Sequence, residues 1–411
     1  MSKSLKQVAS EMDPLADPGT KVMLSAVLRQ HRFPPGFPAT ARGLREVVRR
    51  HTGPVTVRFL SYNTFLTEAH VALPDPFPDL RIAAKPALHG RAAEIGRRVR
   101  SEYDFAVLYE VMQHKQRDEI LAAWGHAPPD SFFGGTLTSL FAVSQKFRIG
   151  RKERKTYGSK GKVAHVKLLP LVPAIDISLD SDFYADKGVI LTEILFPFGA
   201  IEVFSTHLFF GGGFGKTAED GINDVIPLGD HISESTPAER FETQKHELND
   251  MLAFYRAHHR PQNVAIFCGD LNIDGSHPPH FNVLKNLLAS INMKDIWAEG
   301  PFPNNLAGGQ TSRNDDDDTK PDERDFANIC SGLTANADHC DDSRSPNHPP
   351  PPDAVGRFDY LFVENPQPSH SYNLDLTRVR RRQFRWSQPA DRQFFLSDHL
   401  GLETMLLLSS R

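Results

Sequence analysis

From residue 55 onward, short apolar runs recur along the chain, and each meets a polar side chain at one end. Val55-Thr-Val-Arg-Phe-Leu-Ser-Tyr62 alternates and is β-branched or aromatic, which predicts a strand. Arg91–Arg100 instead sets Ala92, Ile95 and Val99 on one helical face, and Phe105–Tyr109 has the unbroken apolar character of a buried strand. Further strands are expected at Gly188–Phe196, Ile201–Thr206, Asn263–Gly269, Phe358–Val363 and Leu400–Leu408. The clearest helix begins at Thr236: its hydroxyl caps, Pro237 suits the first helical position, and Glu239 closes a capping box. Phe241, Leu248, Leu252 and Tyr255 form its apolar stripe. A second helix over Phe281–Ile291 buries Leu284, Leu287 and Leu288.

Two stretches break this rhythm. Lys146–Lys162 holds eight Lys or Arg among Gly and Ser and reads as an exposed loop. Pro301–Pro352 carries the Asp315–Asp318 run and four consecutive prolines, Pro349–Pro352, too little apolar surface to order itself fully. Residues 1–54 read as an extension, with an amphipathic piece near Val22–Leu28 and a Pro-rich turn at Phe33–Pro38. Strands with polar ends then continue to the C-terminus, so 55–411 counts as one catalytic-size domain with a flexible insertion at about 301–352.

Composition narrows the class. An apolar fraction of 39% over 411 residues supports a large core, and 28 Phe favour aromatic-packed, strand-rich interiors. Lys and Arg number 47 against 51 Asp and Glu, a formal net charge of −4, which argues against a surface devoted to nucleic-acid phosphates. Cys268, Cys330 and Cys340 are too few for a zinc or disulfide framework. Cys268 reads as core, and Cys330 with Cys340 leaves pairing open. There is no signal-peptide run and no stretch near the ~20 apolar residues of a membrane span, so the expectation is a cytoplasmic chain, with peripheral membrane contact or unconventional export left open. Oligomeric state is not legible.

The chemistry lies at the strand ends. Asn63 follows Phe59-Leu-Ser-Tyr, Glu110 follows Val107-Leu-Tyr, and His207 follows Phe204-Ser-Thr. Asp270 and Asn272 follow Ile266-Phe-Cys-Gly; Asp359 opens Asp359-Tyr-Leu-Phe-Val, and Asp398-His399 precedes Leu400-Gly-Leu. Each alone is an ordinary cap or turn. Together they supply oxygen ligands for a hard divalent cation, a base and a phosphate-oxygen stabiliser, the kit for metal-assisted phosphoryl transfer.

Ser61-Tyr-Asn63, Leu108-Tyr-Glu110-Val, Ser205-Thr-His207-Leu, Gly269-Asp270-Leu-Asn272, Phe358-Asp359-Tyr and Ser397-Asp398-His399 resemble, in order, the motifs of the endonuclease/exonuclease/phosphatase superfamily, the DNase I-like fold. Arg240 and Gln244 on the capped helix, and Asp295-Ile-Trp297, are supporting matches. The resemblance implies an α/β four-layer sandwich of two mixed sheets with helices outside. It also implies that Glu110 binds Mg²⁺ (or Mn²⁺ or another divalent cation) with Asn63 and Asp398, and that Asp270 and Asn272 orient water or hold a second metal. His399 would be the base, oriented by Asp359, and His207 would stabilise or protonate an oxygen. Tyr109 departs from the Gln that many relatives carry there.

Asp182-Phe-Tyr-Ala-Asp-Lys187 resembles a loop of neutral sphingomyelinase-type members, in which an Asp and a Lys frame the site; the bland alternative is a turn with Lys187 solvated. Phe209-Phe-Gly-Gly-Gly-Phe214 is either a bilayer-dipping loop or, for Phe209 and Phe210, core. The expected activity is therefore hydrolysis of sphingomyelin or a related phospholipid at a membrane surface, giving ceramide and phosphocholine. A DNA or RNA endonuclease or an inositol-phosphate phosphatase is the alternative, because Lys146–Lys162 and Arg378–Arg385 are basic enough to meet a phosphate backbone. A non-catalytic module of the same fold would be expected to lack Glu110, Asp270 or His399; all three are present.

Overall fold

The computed structural model describes residues 53–64, 66, 68–71, 80–83, 90–125, 129–134, 140–158, 164–166, 175–177, 187–196, 199–209, 236–273, 275, 278–296, 357–382, 384–387, 393–397, 399 and 401–411. The expected N-terminal extension (apart from residues 53 and 54), the Pro301–Pro352 insertion, Cys330, Cys340, Phe210, Phe214, Trp297, Asp182 and Asp398 lie outside the described residues.

Twelve strands form two six-stranded sheets. In chain order they are β1 (Val55–Asn63), β2 (Phe105–Tyr109), β3 (Asp130–Phe133), β4 (Phe141–Ser144), β5 (Arg148–Thr156) and β6 (Gly188–Phe196), then β7 (Gly199–His207), β8 (Val264–Asp270), β9 (Met293–Asp295), β10 (Asp359–Glu364), β11 (Tyr372–Arg382) and β12 (Gly401–Ser410). The first sheet runs β11-β12-β1-β2-β4-β3 and the second β9-β10-β8-β7-β6-β5. Each is antiparallel except at its centre, where β1 pairs parallel with β2 and β7 parallel with β8. A parallel pair needs a crossover connection. Those crossovers carry helix α1 (Arg91–Glu102) and helix α3 (Pro237–His258). Helix α2 (His114–Ala122) follows β2, and α4 (Pro278–Ala289) follows β8.

Side-chain alternation divides the core into three layers of contact. Val57, Phe59, Val107, Ile190, Val203, Ile266, Leu361 and Leu406 fill the space between the sheets. Leu60, Tyr62, Ala106 and Leu108 face the other way, against Ala92, Ile95 and Val99 of α1 and Ile120 of α2. On the second sheet Val189, Phe204, Ala265 and Phe267 meet Leu248, Leu252 and Tyr255 of α3 and Leu284 and Leu288 of α4. Sheets buried on both faces explain the near-continuous apolar runs of the sequence. Two inner sheets with helices outside make the expected four-layer sandwich.

The capping box at Thr236 and Glu239 is present, with Pro237 at the first helical position. Such a cap contributes about 1 kcal/mol. Cys268 is a core residue between the sheets, and burial pushes its thiol up to about 11. Phe209 is fully buried, so it is core and not a bilayer wedge.

One expectation is corrected. Much of Lys146–Lys162 is not a loop: Arg148–Thr156 is β5, the edge strand of the second sheet, paired with β6. Lys and Arg are common on the edge strands of sheets. Those of β5 are partnered: Arg151 with Glu202 at 2.7 Å, Lys152 with Asp130 at 2.8 Å and Lys155 with Asp250 at 2.8 Å. No described helix is long and apolar enough to cross a membrane.

Candidate metal and catalytic centre

Both parallel pairs deliver their C-terminal ends to one rim. In the register, Asn63 lies opposite Tyr109, the residue before Glu110, and His207 lies opposite Asp270. β10 runs antiparallel to β8, so its first residue, Asp359, also falls opposite Asp270. β12 runs antiparallel to β1 with Leu402 opposite Ser61, which brings the preceding His399 to the same rim. Polar residues far apart in sequence therefore meet because strand direction alternates around two parallel cores.

Asp270 Oδ2 is the point of convergence. Asn63 Nδ2 donates to it at 2.9 Å and to Glu110 Oε1 at 3.0 Å. His207 Nε2 lies 3.7 Å from Asp270 Oδ2 and 3.8 Å from Glu110 Oε1. His399 Nε2 lies 3.6 Å from the same Asp270 oxygen, while its Nδ1 is 2.8 Å from Asp359 Oδ2. Asp270 Oδ1 accepts the Asn272 backbone N–H at 3.0 Å. Asn63, Asp270, His207 and Asp359 are buried, and Glu110 and His399 are partly open to solvent.

The backbone bends sharply where the strands end. Glu110 has φ 58° and Asn272 φ 50°, left-handed values that non-glycine residues seldom adopt. Each costs on the order of 1–3 kcal/mol and persists only where surrounding contacts hold it. The bends turn a carboxylate and a carboxamide out of their strands at this rim.

Electrostatics follow from burial. Desolvation pushes the Asp270 carboxyl above its ordinary range, against the pull of His399 and of the hydrogen bonds from Asn63 and Asn272. Burial, helped by the Lys187 ammonium and His399, holds His207 well below the ordinary imidazole value. Lys187 is itself 2% exposed, with Nζ 3.2 Å from Nδ1 and 3.0 Å from Nε2 of His207. The solvated-turn alternative for Lys187 is thus excluded.

The donor set suits a hard cation. Glu110 and Asp270 offer carboxylate oxygens at one place, bridged by the Asn63 amide, and ligand atoms of Asp270, Asp359 and His399 all lie within 4.8 Å of one another. Asp359 Oδ1 is buried without a hydrogen-bond partner among the described residues. The Asn63 amide hydrogens now sit between two carboxylates. Turning that amide over would put a third oxygen there, an arrangement that only a cation makes favourable.

The sequence offered Gln244 as a supporting match without a contact for it, and did not point to Glu247. Gln244 Nε2 donates to the carbonyls of Phe209 and Asn272, both at 2.8 Å, and Glu247 Oε2 accepts the Phe209 N–H at 2.7 Å. The available signal was two polar residues, three apart, on the apolar stripe of α3.

A comparison with protein-family models gives no match, and neither does one with curated proteins. Among solved structures, the chain is similar to sphingomyelinase C from Streptomyces griseocarneus, at 15% identity over 87% of this chain and 100% of that chain, TM-score 0.47. It is also similar to a beta toxin mutant from Staphylococcus aureus with bound magnesium ions (14% identity, 87% and 99% coverage, TM-score 0.44). A third is D. rerio TDP2 complexed with single strand DNA product (12% identity, 85% and 98% coverage, TM-score 0.47). Two mixed six-stranded sheets with helices on their outer faces are the α/β sandwich that the DNase I-like resemblance implies.

Proposed function

We propose that the chain is a metal-dependent phosphodiesterase working at the Asp270 rim. The observation that carries this reading is the convergence of Asn63, Glu110, His207, His399 and Asp359 on Asp270, with only Glu110 and His399 partly open to solvent. A divalent cation (Mg²⁺ by expectation) bound by Glu110, Asn63 and Asp398, with Asp270 and Asn272 beside it, would neutralise charge on the phosphoryl oxygens.

His399 takes the proton of a water at Nε2 while Asp359 accepts Nδ1–H and fixes the ring. The water oxygen attacks phosphorus in line, the bond from phosphorus to the leaving oxygen breaks, and that oxygen takes up a proton while His399 returns its own to solvent. His207, beside Glu110 and Asp270, would stabilise or protonate a phosphoryl or leaving-group oxygen. Asn272 donates one amide N–H to the Leu208 carbonyl at 2.8 Å, and its second amide hydrogen would donate to a phosphoryl oxygen.

For substrate, the reading is sphingomyelin or a related phospholipid, presented at a membrane surface and cleaved to ceramide and phosphocholine. Lys187, placed against His207, supports the substrate-loop role assigned with Asp182. The pairing of Arg151, Lys152 and Lys155 with carboxylates of the same chain, and of Arg382 with Glu102 at 2.7 Å, weighs against the nucleic-acid alternative. The purified protein should be assayed on sphingomyelin vesicles, duplex DNA and an inositol phosphate, first with Mg²⁺ and then with chelator. Chelator-sensitive release of phosphocholine is expected; cleavage of DNA alone would replace this substrate assignment with the nuclease.

A further inference from the structure

The segment that follows His207 and the one that carries Asn272 leave neighbouring strands, yet they are fastened together by a residue of helix α3. The Gln244 carboxamide nitrogen spans both, donating to Phe209 O and Asn272 O at 2.8 Å each, which uses its full donor capacity. One turn further along the helix, Glu247 receives the Phe209 N–H. The ring closes through Asn272 Nδ2, donated to Leu208 O. Gln244 is 5% exposed and Glu247 fully buried, so these polar groups occupy helix positions that packing alone would give to apolar residues.

We infer that Gln244 is a positioning residue for the phosphoryl-oxygen pair, acting through the backbone of Asn272; this rests on the reading above of Asn272 and His207. Asn272 is held at φ 50°, and its carbonyl is one of the two that Gln244 anchors. Its amide can aim at a phosphate only while that conformation persists. Without the donors, two buried carbonyls lose their partner, and Asn272 is free to relax toward ordinary backbone values. A carboxylate at this position would face two carbonyl oxygens and repel them.

The test is a double-mutant cycle on Gln244→Met and Asn272→Ala, with Gln244→Glu as a second donor-free variant of equal size. The substrate is bis(p-nitrophenyl) phosphate with Mg²⁺, and each variant is first matched to wild type by circular dichroism. Q244M and Q244E are expected to lower kcat roughly ten-fold or more, as small misplacement of a catalytic group does. KM and the Mg²⁺ concentration for half-activity should move less than about two-fold. Q244M with N272A should be no slower than N272A alone, although their losses in melting temperature add. Multiplying kcat losses, or wild-type kcat in folded Q244M and Q244E, would overturn the positioning role. Wild-type kcat in N272A alone would instead overturn the reading of Asn272, and that measurement is independent of Gln244.

Discussion

His399 Nδ1 lies 2.8 Å from Asp359 Oδ2, and Asp359 is register partner to Asp270, whose own carboxylate lies 3.6 Å from the far side of the same imidazole. One ring thus bridges the two carboxylates of a single strand pair. Asp359 fixes which nitrogen carries the proton and leaves Nε2 for the base role proposed above. Asp359→Asn offers either an oxygen or an N–H at that place and no longer enforces the tautomer. Turnover should fall roughly 10²-fold or more with KM little changed. Steady-state kinetics over pH 5–9 check this, and unaltered kcat would remove Asp359 from its orienting role.

Glu110 is the most exposed of the described carboxylates at the rim and, among them, the one held by a left-handed backbone. Glu110→Gln keeps its shape and removes its charge. Apparent Mg²⁺ affinity, measured by calorimetry, should weaken by at least roughly ten-fold. An unchanged isotherm would assign the principal ligand elsewhere.

Gly269 permits β7 and β8 to approach at the rim. A Cβ there would stand 2.0 Å from the Thr206 carbonyl oxygen, a backbone atom that cannot swing aside. Gly269→Ala should therefore cost roughly 3 kcal/mol or more, by forcing the parallel pair apart. Urea unfolding measures it; a loss below about 1 kcal/mol would show that the strands can yield.

Far from this rim, His370 Nδ1 accepts the Gln367 N–H at 3.1 Å, so a second proton on the ring would break that bond. Burial holds His370 below its ordinary value of 6.5 and outweighs the opposing carboxylate of Glu364 at 3.5 Å. The folded chain then binds fewer protons than the unfolded chain just below pH 6.5. The contribution is complete above that pH and is lost as pH falls, with a slope of at most about 1.4 kcal/mol per pH unit for one group. His207, also lowered, acts in the same direction. His370→Gln should flatten the stability profile between pH 5 and 6.5, and an identical slope in the variant would contradict the assignment.

Much of this was legible because a strand buried on both faces writes itself as an apolar run. Gly188–Phe196 and Phe105–Tyr109 were found at their expected limits, and the helix opened at Thr236 as its cap required. β5 was misread because an edge strand carries charge where an inner strand carries Val or Ile. Short β3, β9 and helix α2 owe their form to neighbours more than to any periodicity of their own. The rim residues were legible as strand ends. The Gln244 bridge was not, since it depends on which loops the helix overlies, and Lys187 could not be told from a solvated turn until its burial against His207 was seen.

The most direct measurement is turnover of bis(p-nitrophenyl) phosphate by the wild-type chain and by His399→Ala, each with Mg²⁺ and again after chelation. Wild-type turnover that is abolished by chelator and reduced roughly 10²-fold or more in the folded variant is the predicted result. Equal turnover by both proteins, or turnover indifferent to chelator, would mean that the groups gathered at Asp270 do not form a metal-dependent phosphodiesterase centre.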